Sequence, residues 1–211
     1  MPKCPVCKSD CQFHDLKCSL CGFPDPCIEF VSHADAEEWR IKTLEPSRAV
    51  WRKAHEDHAS ARAAALRIIY SAAKAGHFKT AISTNDTFQY ITDGYRSVRY
   101  PLGFEVVSPI TNHPDSLRIR KQTDDIINDT QRNGVELPLP PIQHLKRMQQ
   151  AGEKVFDFGH EKPLVNVAFL IDMIEALPEP TAMCLPGNAL SAICFYSKHG
   201  AGMLLPIKKL K

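Results

Sequence analysis

The chain has no apolar run of the ~18–20 residues that a membrane-spanning helix needs, so none is expected. Its opening, MPKCPVCKSD, lacks the apolar stretch of a secretory signal, and the cytoplasm is the expected compartment. An excess of either charge is also missing: 26 Lys and Arg face 24 Asp and Glu, a formal net charge of +2. Bulk charge therefore does not point to non-specific nucleic-acid binding. No GxxxxGK[ST], HExxH, GxSxG or GxGxxG occurs, which removes the familiar signatures of phosphate-loop, zinc-hydrolase, serine-hydrolase and dinucleotide chemistry. Asp157-Phe-Gly159 copies one kinase element without the others, and His113, Asp115, His144 and His160 are scattered. No catalytic residue is expected. A pocket gathering His144, Asp157 and His160 would change that.

What is present is ordinary globular material: 44% hydrophobic and 24% charged residues in 211, enough for a core and too apolar for a disordered chain. Cysteine is the exception. Six of the eight cysteines lie in the first 27 residues, and Cys184 and Cys194 follow more than 150 residues later. In a reducing compartment such crowding favours metal over disulfides.

Cys4-Pro-Val-Cys7 and Cys18-Ser-Leu-Cys21-Gly22 are two CxxC elements ten residues apart. Zinc takes four thiolate or imidazole ligands in a tetrahedron, and each CxxC turn delivers two thiolates whose charge its backbone N–H groups stabilise. Cys4, Cys7, Cys18 and Cys21 thus predict a zinc ribbon with a closed, structural Zn²⁺. A segment this short buries no core, so the metal supplies its folding energy. Cys11, His14, Cys27 and His33 have the interleaved order of a second metal site, with packing cysteines as the alternative. The segment resembles short bacterial zinc ribbons, in which CPxC and CxxCGF bracket an insert and an acidic-aromatic helix follows, as Ala34-Asp-Ala-Glu-Glu-Trp39 does here. The resemblance implies metal binding and leaves the ribbon's target open.

After the ribbon, Ser32-x-x-Asp35 predicts a capped helix over 34–44, broken at Glu45-Pro46. A second helix is expected over 46–75, ended by Gly76, with an alanine-rich face. Strands are expected over 78–83, 88–92 and 95–100, the last two flanking an Asp93-Gly94 turn, and again from Phe104. Arg96 and Arg99, interleaved with Tyr95 and Tyr100, are candidates for phosphate contacts and stacking; the alternative is the two faces of an amphipathic strand. A helix is expected over 115–132 with Leu117, Ile126 and Ile127 as apolar anchors, then an extended linker over 135–141 and a short helix over 142–150. The end reads as βαβββ: a strand over 155–158, a helix capped by Asn166, and strands over 182–185, 190–197 and 201–207. From Pro180 onward the only charged residues are Lys198, Lys208, Lys209 and Lys211, a basic tail.

This last section resembles the final motif of the bacterial DNA polymerase sliding clamp. Asn166, Phe169, Leu170, Asp172, Ile174, Ala176 and Leu177 match its helix, and Leu204, Leu205, Pro206 and Ile207 match its closing strand. The resemblance implies a βαβββ unit, duplicated within each clamp domain, whose closing strand borders a pocket for peptide motifs. Two departures stand out: Lys208-Lys-Leu-Lys211 runs past the usual end, and no matching helix is assignable in the first half.

The expected architecture is α+β: a zinc ribbon over 1–30, a helical linker or hairpin over 31–76, and a mainly antiparallel α+β domain over 77–211. The expected function is that of a non-enzymatic zinc-ribbon protein associated with DNA. Its partners would be DNA or a DNA-associated protein, with no membrane, and its contact residues Arg96, Arg99, Lys198, Lys208, Lys209 and Lys211. The alternative is a protein–protein adapter that never touches nucleic acid. Salt-dependent DNA binding separates the two.

Overall fold

The computed structural model describes residues 13–14, 17–18, 24, 32–56, 59–102, 104 and 114–207. Two short strands, β1 (Phe13–His14) and β2 (Lys17–Cys18), pair antiparallel with Phe13 opposite Cys18.

Helix α1 (His33–Trp39) starts where the capping signal placed it. Ser32 Oγ accepts from the Asp35 N–H at 3.1 Å and lies 2.7 Å from the Asp35 carboxylate. The predicted break at Glu45-Pro46 does not occur. A π-helical turn, Arg40–Leu44, carries the chain directly into α2 (Glu45–Glu56), and the Glu45 N–H donates to the Arg40 carbonyl. Pro46, which has no N–H to donate to the ladder, follows directly on this π-helical turn. Helix α3 (Ala59–Lys74) ends at Gly76, whose φ of 79° suits glycine. Residues 57–58, within the helix expected over 46–75, lie outside the described residues.

The strand expected over 78–83 begins only at its end. Residues Phe78–Ala81 form a helical turn, α4, closed by the Thr80 N–H and hydroxyl on the His77 carbonyl, and β3 is Ile82–Thr84. The hairpin of β4 (Phe88–Thr92) and β5 (Arg96–Pro101) turns at Asp93-Gly94, with Gly94 at φ 89°. The strand expected after Phe104 lies outside the described residues. Helix α5 (Pro114–Asn133) is followed by β6 (Val135–Leu137) and α6 (Ile142–Gln150). The expected linker is therefore half strand: β6 pairs with a later strand and buries Leu137. Then come β7 (Val155–Asp157), β8 (Leu164–Asn166), α7 (Val167–Ala176), β9 (Thr181–Cys184), β10 (Ile193–Ser197) and β11 (Gly200–Leu204). The strand expected over 155–158 is β7, but a further strand not expected from the sequence, β8, pairs with it and leads into α7; β9–β11 then follow as expected, and Asn166 caps α7 by accepting from the Phe169 N–H at 3.2 Å.

Among the described residues, seven strands form one antiparallel sheet in the order β3-β4-β5-β11-β10-β9-β6, with β7-β8 a separate hairpin. The last strand, β11, pairs with β5 as well as β10, so the C-terminal meander is joined to the first hairpin in one sheet. Helices α3 and α7 pack together on one face, and α5 covers the other. The main core lies under α3 and α7. It gathers Ala65, Ile68 and Ala72 of α3, Leu170 and Met173 of α7, and Ile91, Val98, Phe195 and Leu204 of the sheet. Helix α3 thus belongs to the core of the α+β part, although it lies within the segment read as a linker over 31–76. A smaller cluster under α5 joins Ile127 to Cys194, Ala201 and Met203. The close approach of α7 depends on Gly202, where a Cβ would lie 2.5 Å from Met173 Cε and 2.9 Å from the Ser97 carbonyl oxygen.

Candidate functional site

Successive side chains of β5 alternate between the two faces of the sheet, and so separate two kinds of surface. Arg96 and Tyr100 point to α7: Arg96 donates to Asp172, and the Tyr100 hydroxyl donates to the Ala176 carbonyl at 3.0 Å. Ser97 and Arg99 point to α5, where Thr123 donates to Ser97 at 3.3 Å and Arg99 donates to Asp124 at 2.5 Å.

On the α7 face, Arg96 is only 2% exposed and is surrounded by acceptors. It donates to Asp93 through Nε at 3.0 Å and Nη2 at 2.5 Å, and to Asp172 through Nη1. The Phe169 ring lies 4.0 Å from its guanidinium carbon. Asp172 also accepts from Arg67 of α3 at 2.5 Å, Arg67 reaches Glu175 at 2.5 Å, and Lys146 of α6 lies 2.7 Å from the other Glu175 oxygen. Burial pushes the Glu175 carboxyl up, but Lys146 and Arg67 outweigh it and hold the group below the usual carboxylate range. The chain of charges runs from the β4–β5 turn across α7 to α3 and α6. It joins elements, and its acceptors and donors are spent on one another.

On the α5 face, Arg99 reaches Asp124 and Asn128, and the Tyr90 hydroxyl donates to Asp124 at 2.7 Å. Burial, reinforced by that hydrogen bond, raises the Tyr90 phenol to about 12. Burial likewise raises the Cys194 thiol to about 11. Beside this polar seam opens a groove of about 420 Å³, within the size range of ligand sites. Ile119, Gln122, Thr123 and Ile126 line it from α5, a stripe at i, i+3, i+4 and i+7. Met203 and Leu205 line the opposite wall, Thr92 and Gly94 close one end at the β4–β5 turn, and Asp125 stands on the rim. Leu205 is held there by its N–H, which donates to the Tyr95 carbonyl at 2.9 Å. Thr92 is already used, its hydroxyl donating to the Arg96 carbonyl at 2.7 Å and accepting from the Gly94 N–H at 3.1 Å. Gln122 and Asp125 have no hydrogen-bond or ion-pair partner among the described residues and face outward from the wall with their polar atoms unused.

The candidate residues read from the sequence are distributed as follows. Cys4, Cys7, Cys11, Cys21 and Cys27 lie outside the described residues, as do Lys208, Lys209 and Lys211. Of the other metal candidates, Cys18 and His14 are placed on the paired strands and His33 at the first residue of α1. Among the described residues no three His, Cys, Asp or Glu side chains cluster as metal ligands would. Arg96 and Arg99 do not make one cationic surface. They stand on opposite faces of β5, because three residues is an odd step along a strand, and each is paired with a carboxylate. Lys198 is exposed, 4.0 Å from Glu179. Cys184 and Cys194 are both buried free thiols on opposite faces of the sheet, so the two belong to different clusters. His144 sits on the exposed side of α6, His160 is exposed, and the Asp157 carboxylate accepts from the Gly159 N–H at 2.8 Å. None of the three lines the groove.

The groove was not visible in the sequence. The α5 stripe carried a helical period, but Leu117, expected as an anchor, is 63% exposed, and Thr123 and Thr130 are buried instead. Nor did the sequence say that β11 would be the opposite wall.

No protein-family model, curated protein or solved structure matches this chain.

Proposed function

We propose that the protein is a non-enzymatic adapter bearing a structural zinc ribbon, which binds a partner protein in the groove between α5 and β11. The observation that carries this reading is the groove itself: an apolar cleft of about 420 Å³ with two uncommitted polar side chains on its α5 wall. Apolar walls supply the affinity of such a site and a few polar groups its orientation. The two arginines on which a nucleic-acid surface would have rested are both spent on carboxylates. A photo-crosslinking residue tests the reading. Placed at Gln122 it is expected to give a defined adduct with one polypeptide, lost when Ile126→Glu is added; placed at Arg147, on the exposed side of α6, it gives none. Equal adducts from both positions would sink the proposal.

The ribbon is part of the same proposal. Its support is the double CxxC spacing; Cys18 lies on β2, which pairs antiparallel with β1. Cys4, Cys7, Cys18 and Cys21 would hold one zinc, which would fold the segment and take no part in chemistry. One zinc per chain is expected, lost in Cys18→Ser. Two would bring in Cys11, His14, Cys27 and His33.

A DNA-associated role is the second reading. In its favour Arg118 and Lys121 of α5 are exposed, with no carboxylate partner among the described residues. It also draws on the basic tail and on the resemblance of residues 166–177 and 204–207 to the clamp motif. Binding to DNA that weakens steeply with salt would support it, and no binding at low salt would remove it.

A further inference from the structure

We infer that a second copy of this chain docks on the outward face of α5, helix against helix and antiparallel. Helix α5 buries Ser116, Thr123, Ile127 and Thr130, and the elements it packs on are the strands β3, β9, β10 and β11. Two of its charges are spent on that side: Asp124 on Arg99 and Tyr90, and Arg120 on the Thr84 carbonyl. The outward residues are not. Arg118, Lys121, Gln122, Asp125 and Arg132 are exposed with no hydrogen-bond or ion-pair partner among the described residues, and Asp129 has only Asn133, at 2.7 Å.

Asp115, Arg118, Gln122, Asp125, Asp129 and Arg132 recur at alternating steps of three and four, the spacing that lines one seam along a helix. From its first turn the seam runs acid, base, amide, acid, acid, base. A second α5 laid antiparallel about a two-fold axis answers it position by position. Arg118 meets the copy's Asp129, Gln122 its Asp125, and Arg132 its Asp115, and each contact occurs twice. Lys121, on the flank, reaches the same Asp125. A parallel copy would instead set Arg118 on Arg118 and Asp125 on Asp125. Sliding the antiparallel copy by one heptad would set Asp125 against Asp115 or Asp129. Charge therefore selects one orientation and one register.

Exposed pairs of this kind each add little, so they fix the geometry and leave the dimer weak and salt-sensitive. Apolar contact comes from Ile119 and Ile126, half-buried on the flank of the seam towards the groove, which the two-fold brings close to Ile126 and Ile119 of the copy. The aliphatic stems of the arginines add to it. The Met203 and Leu205 wall of the groove takes no part, so the dimer stands or falls apart from the adapter reading. Gln122 belongs to both surfaces, and a cross-linking residue there would also join two copies.

Sedimentation of the full chain over a range of concentrations is the test, with Arg118→Asp and Asp129→Arg, both at exposed positions away from the core. The parent is expected to form a dimer that dissociates as salt is raised. Each single variant sets like charges opposite each other at two points, and should dimerise at least about tenfold more weakly. An equimolar mixture of the two variants opposes unlike charges again and should form a heterodimer, and the double variant should regain the homodimer. A parent that stays monomeric at about millimolar concentration and low salt overturns the inference. So does a dimer that neither reversal weakens, or one that mixing fails to restore.

Discussion

Arg96 on β5 and Asp172 on α7 share a charged hydrogen bond inside the protein, and the same carboxylate takes a second from Arg67 on α3. One acid thus ties the sheet to both helices on that face. Asp172→Asn removes the charge while keeping the shape, and leaves Arg96 buried with Asp93 alone. The expected loss is about 1.5–3 kcal/mol, the worth of the charged hydrogen bonds removed, since Asp93 still balances the Arg96 charge. Urea unfolding measures it. A loss no larger than that of Lys42→Ala, an exposed pair on α1's extension, would contradict the placement.

Glu175 closes the outer end of the same chain. Its folded pKa is depressed by Lys146 and Arg67, which outweigh burial, so the stability it adds is present above the ordinary carboxylate pKa of about 4.3 and is lost as pH falls through the lower folded value. Glu175→Gln is expected to be less stable than the parent at neutral pH, and the gap should shrink in acid. Denaturant midpoints at neutral pH and at about pH 3 give the comparison.

Gly202 sets the distance between α7 and β11. Gly202→Ala is expected to cost about 1–3 kcal/mol by overpacking, because its Cβ meets both Met173 Cε and the Ser97 carbonyl. Pairing it with Met173→Ala should recover none of the strain that comes from the backbone oxygen. Melting temperatures of the single and double variants separate the two contacts.

Tyr90 lies on the other face, with a phenol raised to about 12 by burial and the Asp124 hydrogen bond. The stability this shift supplies is whole below the ordinary phenol pKa of about 10 and is lost as pH rises towards 12. Phenolate absorbance should show one group fewer titrating near pH 12 in Tyr90→Phe. That variant should also lose about 1 kcal/mol at neutral pH, the worth of one such hydrogen bond.

Several elements were legible from local chemistry. The caps at Ser32 and Asn166, the turn at Asp93-Gly94 and the stop at Gly76 each depend on a few adjacent residues, and the structure has them in place. Short-range period likewise recovered α6 and the closing meander β9–β11. The misreadings occurred where a distant partner overrode the local signal. Residues Val135–Leu137 look like a linker until β9 pairs with them. Phe78–Ala81 carry strand-like residues yet form a helical turn. Leu117 looks like an anchor, but α5 is rotated so that Thr123, Ile127 and Thr130 face the sheet.

By itself the sequence determined the class of the fold, the local starts and stops, and a cysteine spacing that predicts one structural zinc. These follow from side-chain chemistry within a turn or a hairpin. Tertiary structure decided that Arg96 and Arg99 are internal ion-pair partners on opposite faces. It also decided that α3 belongs to the core, and that α5 and β11 enclose a groove. Each of those outcomes depends on which strand lies beside which and which helix covers which face. Such pairings join residues up to about a hundred positions apart, and no local pattern encodes them.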